Sequence, residues 1–188
     1  MNHNREFERF DRIGIEKERS YYIPFFEDDK VKYRYGIVDR NSSSRFFSLD
    51  GEWDIKQHEN IEKVDISKPI SRKIVVPSCV QMHGYDQIQY INARYQFPVN
   101  PPFTPYENPC WHYRKTFDFD KQTNEKYYIN FEGVDSAFYL FVNGQQKGYS
   151  QISHATSEFD ITDLLVSGEN VIDVVVLKWC ASSLSYSK

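Results

Sequence analysis

The sequence has few cysteines, no surplus of basic residues and no long apolar run, and each of these absences excludes a class of protein. Its three cysteines, Cys79, Cys110 and Cys180, are far apart and follow no metal or redox spacing, which predicts free thiols in a reducing compartment. The 23 Lys and Arg are outnumbered by 27 Asp and Glu, so nothing attracts a nucleic-acid backbone. No apolar run could cross a bilayer, and the polar start lacks the apolar core of a signal peptide. These features predict a cytoplasmic protein that binds neither nucleic acid nor membrane.

Aromatic residues are abundant, with 14 Tyr, 14 Phe and 3 Trp in 188 residues, so the chain can bury a sizeable core. Short apolar runs separated by turn residues predict strands, and the Asn143-Gly144 pair predicts a hairpin because both residues tolerate positive φ. The only short helix candidate is Asp163–Val166. The runs are Arg45–Leu49, Trp53–Ile55, Lys73–Val76, Trp111–Phe119, Lys126–Phe131, Ser136–Val142, Gln145–Ser150, Thr156–Ile161 and Asn170–Trp179.

This spacing predicts an all-β fold, a jelly-roll β-sandwich, with three regions along the chain. Residues 1–44 form an irregular N-terminal arm, residues 45–180 the sandwich, and residues 181–188 an irregular, serine-rich tail. Within the sandwich, residues 77–109 contain six prolines, which cannot join a strand interior. The aromatic content of this stretch argues against disorder, so we expect an ordered irregular loop, and long loops in compact domains are often functional.

Four sequence motifs lie between Ser48 and Trp179. The longest is the stretch from 76 to 117, which begins VPSCVQMHGYD and contains NPPFTP and YRKTF. The others are GVDSAFYLFVNGQQKGYSQ, then EFDIT with SGEN and a strand ending in KW, and finally SLDGEW. Together they resemble the motifs of bacterial β-galactosidases in glycoside hydrolase family 2. The chain departs from that pattern where the family usually has Trp, Pro, Pro or Gly, at Val80, Ile88, Gln96 and Trp111 respectively.

The resemblance implies that the chain is the amino-terminal sugar-binding domain of a β-galactosidase. The parent enzyme would hydrolyse terminal β-galactosides by a retaining mechanism, in carbohydrate metabolism. Such a mechanism needs two paired carboxylates, which the family carries on a catalytic barrel. Their sequence contexts do not occur here, and the family's acidic stretch after Trp179 is absent, so a truncated chain without catalytic residues or hydrolytic activity is expected. The remaining domains or subunits of the enzyme would be its partners, with the arm aiding assembly, and self-association is possible.

The resemblance also implies the site residues. Asn100 in the NPP motif would contact galactose in the intact enzyme, where an amide can both donate and accept hydrogen bonds. The parent family uses magnesium and a monovalent cation. Gln151 matches a family residue that helps to bind the magnesium ion, which makes it a weak candidate ligand. The position of another ligand is Ala181, so no tight metal site and no cofactor are expected in this chain.

Other polar residues are expected to support structure. Asp86 and Asp135 would accept hydrogen bonds from loop or turn amides, and Asn92 and Asn108 would hold the loop. The five histidines show no ligand spacing and are expected to be structural or solvated. Two alternatives stay open at this point: a stand-alone carbohydrate-binding module, and a truncated product with no independent function.

Overall fold

The computed structural model describes residues 13–20, 22–87, 103–180 and Ser183. These residues divide into two compact units, Lys17–Gly51 and the described parts of Met1–Glu16 and Glu52–Lys188. Within them the regular structure consists of short 3-10 helices and ten strands, without an α-helix. The strands are β1 (Tyr33–Arg34), β2 (Ile37–Val38), β3 (Gly51–His58), β4 (Arg72–Val76), β5 (Cys110–Phe119), β6 (Tyr128–Phe131), β7 (Ala137–Val142), β8 (Gln145–Ser150), β9 (Ser157–Asp160) and β10 (Gly168–Leu177).

The larger unit is a jelly-roll β-sandwich, as the strand spacing predicted. A six-stranded sheet has the order β4-β3-β5-β10-β7-β8, and β6 pairs with β9 in a second sheet. Phe138 of β7 packs between Phe131 of β6 and Phe159 of β9, with ring centroids 4.8 and 6.0 Å away. Burying aromatic side chains of this size contributes roughly 1.5–3 kcal/mol each. The aromatic layer therefore joins the two sheets.

Strand β10 lies in the centre of the large sheet, antiparallel to both β5 and β7. Its run of Val and Ile predicted a strand covered on both faces, and Ile172 and Val175, which point to opposite faces, are fully buried. The face opposite the aromatic layer carries a cluster formed by Cys110, Ala137, Tyr139, Tyr149, Val175, Leu177 and Cys180, against which Ile13, Ile61, Val64 and Ile66 pack. The segment between β3 and β4 thus covers the second face.

Two predicted elements are wrong. Asp163–Val166 is a turn instead of a helix, because Asn170 captures the backbone that a helix would use. The Asn170 side chain accepts a hydrogen bond from the Val166 amide at 3.0 Å and donates one to the Val166 carbonyl at 2.7 Å. Arg45–Leu49 is not a strand, because the Ser43 hydroxyl and carbonyl accept from the amides of Arg45 and Phe46 and bend the chain.

The smaller unit, Lys17–Gly51, is mostly irregular and contains one hairpin of β1 and β2. Tyr35 and Gly36 make its tight turn with φ of 54° and 78°, a geometry that matches the twist of the two strands. Asp29 accepts hydrogen bonds from the amides of Phe26 and Ser44. The hydrogen bond from Phe26 has the largest effect on the Asp29 carboxyl, and together with the bond from Ser44 it lowers the pKa of that group.

Candidate functional site

The motifs that point to a function converge at one end of the six-stranded sheet. Leu177, the last residue of β10, is opposite Cys110 of β5 on one side and Ala137 of β7 on the other. The end of β10 therefore meets the start of β5, which follows the proline-rich stretch, and the start of β7, which follows the GVDS motif. We call this region the Leu177 end.

Asn108 joins the C-terminal flank of the proline-rich stretch to the Leu177 end. Its side chain is buried, donates to the Trp179 carbonyl at 2.9 Å and accepts from the Trp179 amide at 3.0 Å. The Lys178 amide donates to the Pro109 carbonyl at 3.0 Å. The expectation that Asn108 holds the loop is confirmed, since a carboxamide can satisfy both backbone groups of one residue.

Asp86 joins the N-terminal flank to the same place. Its carboxylate oxygens lie 2.7 and 2.9 Å from Lys178 Nζ, and the two side chains are only 12% and 16% exposed. Asp86 also accepts from the Gln87 amide at 2.9 Å, the loop-holding role that was expected of it. Ahead of it, a 3-10 helix over Val80–His83 ends at Gly84, whose φ of 71° lets the chain turn back.

Asn100, the residue predicted to bind substrate, lies outside the described residues, as do Asn92 and residues 88–102 in general. The structure does describe the two flanks of that stretch. Both flanks, at 77–87 and 103–109, reach the end of β10. Within the second flank, two residues before the buried Asn108, the large side chain of Tyr106 is 72% exposed.

Asp135 accepts a hydrogen bond from the Ser153 hydroxyl at 2.9 Å, so its partner is a side chain and not the loop or turn amide that was expected. The neighbouring Ser136 donates from its hydroxyl to the carbonyls of Leu177 and Lys178, each at 3.2 Å. The GVDS motif thus fastens the turn before β7 to the end of β10, a structural role for its polar residues.

Gln151 directly follows β8, and its side-chain oxygen is buried. Magnesium requires several oxygen ligands in near-octahedral arrangement. The part of the chain that the structure describes contains no group of three or more His, Cys, Asp or Glu that could hold a metal ion. Position 181 is alanine and supplies no side-chain oxygen. The described residues do not fit a magnesium site, and the lack of tight metal binding stays a prediction.

A buried polar cluster lies on the face covered by the β3–β4 segment, and sequence reasoning missed it. Asp173 Oδ1 is 2.6 Å from His112 Nε2 and 2.7 Å from Arg114 Nε, with the Asp and His side chains almost fully buried. Arg114 also donates to the carbonyls of Ile66 and Lys68. A single Asp within VIDVVVL was the available signal, because a buried carboxylate needs a partner.

Two titratable groups near this cluster have shifted pKa values. Desolvation lowers the pKa of His58, whose ring lies 6.2 Å from that of His112, although the Lys63 carbonyl opposes the shift. Burial raises the pKa of the Cys110 thiol to about 12. Both groups are therefore neutral around pH 7, and Cys110 has none of the thiolate character that a reactive cysteine needs.

The described residues contain no helix with the length and apolarity that crossing a membrane would demand.

All three cysteines are free, with Cys79 exposed and the other two buried. The carboxylates of the Leu177 end, Asp86 and Asp135, are both engaged by neighbouring side chains of the domain.

Comparison with known proteins gives one family. A family model described as "Glycosyl hydrolases family 2, sugar binding domain" matches residues 46–186. The β-galactosidase of Staphylococcus xylosus is 42% identical over 170 residues, covering 89% of this chain and 17% of that protein. That of Pseudoalteromonas haloplanktis is 46% identical over 154 residues, covering 76% and 15%. The chain spans less than a fifth of the length of these relatives.

A solved structure with a similar fold is the Bifidobacterium dentium β-glucuronidase complexed with coumarin-3-O-glucuronide. It matches with a TM-score of 0.50 and 25% identity, covering 69% of this chain and 20% of that chain. Here too the similarity is to one portion of a much longer chain.

Proposed function

The chain belongs to glycosyl hydrolase family 2 as a sugar binding domain, and on that premise we propose that it is the non-catalytic N-terminal domain of a β-galactosidase. In the intact enzyme it supports the galactose subsite through Asn100 and contributes to subunit assembly through its N-terminal arm. The observation that carries this proposal is the family match over residues 46–186 together with 42% identity to a β-galactosidase.

The absence of catalysis in the chain itself is part of the proposal. A retaining glycosidase needs an acid–base carboxyl and a nucleophilic carboxylate about 5–5.5 Å apart in an open site. Asp86 is occupied by Lys178, Asp135 by the Ser153 hydroxyl and Asp173 by His112 and Arg114. The three carboxylates therefore have structural roles in this proposal, and the remainder of the enzyme would supply the acid–base carboxyl and the nucleophile.

A domain exchange tests the positive role. The matching N-terminal portion of the Staphylococcus xylosus β-galactosidase is replaced by this chain, and hydrolysis of o-nitrophenyl β-galactoside is measured. The chimera should be active. Asn100→Ala should then raise KM or lower kcat/KM about three- to tenfold, since one neutral hydrogen bond contributes about 0.5–1.5 kcal/mol. Gln146→Ala, at an exposed position of β8, is the control and should change kcat/KM much less.

The isolated chain should neither hydrolyse the galactoside nor bind galactose more tightly than millimolar. Binding requires several convergent polar groups, and a few hydrogen bonds do not offset the several kcal/mol lost on association. Calorimetric titration with galactose and a chromogenic assay check both statements. Turnover that survives purification and disappears when a carboxylate of this chain is mutated would contradict the proposal.

The exposed Tyr106 favours a second candidate, a stand-alone carbohydrate-binding module, because an exposed aromatic ring can stack on a sugar face. Under this alternative the isolated chain binds galactose with a micromolar dissociation constant, and Tyr106→Ala abolishes the binding. The same calorimetric titration therefore decides between the two candidates.

The remaining features of the proposal concern the setting. We place the protein in the cytoplasm, which its free thiols favour. Its partners would be the other domains or subunits of the β-galactosidase, and self-association of the isolated chain is compatible with the exposed apolar side chains Tyr35 and Ile37. Any magnesium or monovalent cation of the enzyme would be held mainly by residues outside the described part of this chain.

A further inference from the structure

Exposed apolar side chains are concentrated in the smaller unit, Lys17–Gly51. Of the thirteen large apolar side chains that are exposed in the described part of the chain, eight belong to this unit, and Tyr35 is 93% exposed. Among the described residues of the unit, Ser43 alone is buried, and it is polar. These residues therefore form no apolar core of their own, and apolar surface at this density is typical of an interaction site.

The hairpin of β1 and β2 presents part of this surface on a backbone that is already ordered. The Asp39 amide donates to the Lys32 carbonyl at 2.8 Å, and the Lys32 amide donates to the Ser42 hydroxyl at 3.1 Å. A two-stranded hairpin by itself is only marginally stable in water, so these flanking bonds help to keep it formed. Little conformational entropy then remains to be lost when the hairpin docks on a partner.

One face of the hairpin combines positive charge with an exposed apolar side chain. Arg34 lies directly opposite Ile37, which is 73% exposed, and Lys32 shares their face because side chains alternate along a strand. The neighbouring acid, Asp39, accepts hydrogen bonds from the amide and the side chain of Asn41. Those bonds lower the pKa of Asp39 more than the two cations do. Lys32 and Arg34 are therefore available to a partner of opposite charge.

The large sheet carries a complementary pair of acids. Asp118 of β5 lies directly opposite Glu169 of β10, and both residues are exposed. Like charges in directly opposed positions destabilise a sheet unless a cation compensates them. Neither carboxylate forms an ion pair with a residue in the part of the chain that the structure describes. With a formal net charge of −4, a second copy of the chain would attract a hairpin face that carries two cations.

We propose that the hairpin face formed by Lys32, Arg34 and Ile37 docks on the Asp118–Glu169 pair of a second copy of this chain. Each copy offers one hairpin and one acidic pair, so two reciprocal contacts close a twofold dimer. The docking rests on the proposed function only for its meaning in the intact enzyme, where it names residues and a partner for the assembly role of the arm. Dimerisation of the chain itself rests on the exposure and charge of these residues.

The test measures the mass of the full 188-residue chain by sedimentation equilibrium, up to its limit of solubility. The weight-average mass should rise with concentration from the 22.4 kDa of one chain toward twice that value. Raising the ionic strength from about 0.05 to about 0.5 M should weaken the dimer, because salt screens exposed charges. Ile37→Ser should also weaken it without changing this salt dependence, since the substitution removes only apolar contact.

Charge reversal then locates the contact. Lys32→Glu with Arg34→Glu should raise the dissociation constant of the dimer at least about tenfold, because like charges would then face each other. Asp118→Lys with Glu169→Lys should have the same effect for the same reason. All four substitutions in one chain restore opposite charges at the contact as well as the net charge, so the dimer should return.

Lys17→Glu with Lys56→Glu is the matched control. Both lysines are exposed, and the two substitutions change the net charge by the same amount as the reversal in the hairpin. The control should change the dissociation constant much less than that reversal does. Because every substituted residue is exposed, each variant should keep the circular dichroism spectrum of the parent chain, which is recorded before its mass is measured.

A chain that stays monomeric at every concentration overturns the proposal. So does a dimer that survives reversal of the hairpin charges, which would use another surface, or one that the fourfold variant fails to restore. No galactoside enters these measurements, so they are independent of the chimera assay. A dimer together with an inactive chimera would refute the proposed function and leave the docking intact; a monomeric chain together with an active chimera would do the reverse.

Discussion

Gly148 explains at the scale of one residue why the GYSQ motif begins with glycine. A Cβ at this position would lie 2.4 Å from the Ile13 carbonyl oxygen and 2.5 Å from the Phe159 ring. Ile13 bridges to Tyr149 at the edge of β8, and the Tyr149 amide donates to the Ile13 carbonyl at 2.9 Å. The side chain is absent because the N-terminal residues and the β9 core approach from two sides.

Gly148→Ala should therefore destabilise the fold by about 1–3 kcal/mol, the range for overpacking a tightly packed site. Thermal unfolding followed by circular dichroism measures the effect. Gly133→Ala is the control, since its nearest neighbour, the Ser153 carbonyl, would be 3.4 Å from the new Cβ. Equal melting temperatures for the two variants would show that the region around Gly148 can relax.

Single residues were only partly predictable from the sequence. The loop-holding role of Asn108 followed from its residue type and its place before a proline. The Asp86–Lys178 pair did not, because the partners are 92 residues apart and nothing in local sequence links them. His112 illustrates the same limit: its lack of ligand spacing correctly indicated a structural residue, but only the strand register placed it against Asp173.

At the scale of elements, Arg114 connects the centre of the large sheet to the segment that covers it. Its Nε donates to Asp173 in β10, and its terminal nitrogens donate to the carbonyls of Ile66 and Lys68 between β3 and β4. Ile61, Val64 and Ile66 of that segment pack on the buried cluster around Tyr139. Guanidinium geometry permits all of these bonds at once, which a lysine ammonium cannot reproduce.

Arg114→Lys should keep the charge beside Asp173 but lose the bonds to the covering segment, costing about 1.5–3 kcal/mol. Amide exchange in residues 61–68 should accelerate more than in β10. Lys115→Met is the control, because the Lys115 ammonium has a single exposed hydrogen bond, to the Glu52 carbonyl, and its loss should cost less than about 1 kcal/mol. Unchanged exchange in 61–68 would mean that apolar packing alone holds the segment.

The strands of the sandwich were predictable because alternating or continuous apolar runs between turn residues carry their own signal. β8 has the predicted bounds, Gln145–Ser150, and β5 begins one residue before its predicted start. The failures at 45–49 and 163–166 have a common cause: side-chain groups of Ser43 and Asn170 capture backbone amides and override local apolarity. The order of strands in the sheet was not derivable, since it depends on contacts between distant segments.

At the scale of the whole molecule, burial of neutral titratable groups sets the pH range in which the sandwich is most stable. Desolvation lowers the pKa of His58 below its ordinary 6.5, and burial raises that of Cys110 from 9.0 to about 12. Burial also raises the pKa of Tyr113 above its ordinary 10.0. Burial disfavours the charged form of each group in the folded state, whereas the same group ionises near its ordinary pKa in the unfolded chain.

The stability of the fold should decrease on both sides of neutrality. Below about pH 6.5 the unfolded chain takes up a proton at His58 that the folded chain refuses, so stability falls as pH decreases. Above about pH 9 the unfolded chain releases the Cys110 proton that the folded chain retains, so stability falls as pH rises toward 12, and Tyr113 adds to this loss above pH 10. Urea unfolding should therefore give a plateau in the free energy of unfolding between about pH 6.5 and 9.

Two substitutions separate the contributions. His58→Gln removes the titrating ring and should flatten the decline between pH 6.5 and 5 while leaving the alkaline side unchanged. Cys110→Ala should flatten the decline that begins near pH 9, at the expense of a lower plateau, because it removes a fully buried side chain. The same substitution at the exposed His83 gives the effect of a His→Gln change outside the core, against which the His58 variant is compared. An acid decline that persists unchanged in His58→Gln would show that groups other than His58 set the acid limit of the fold.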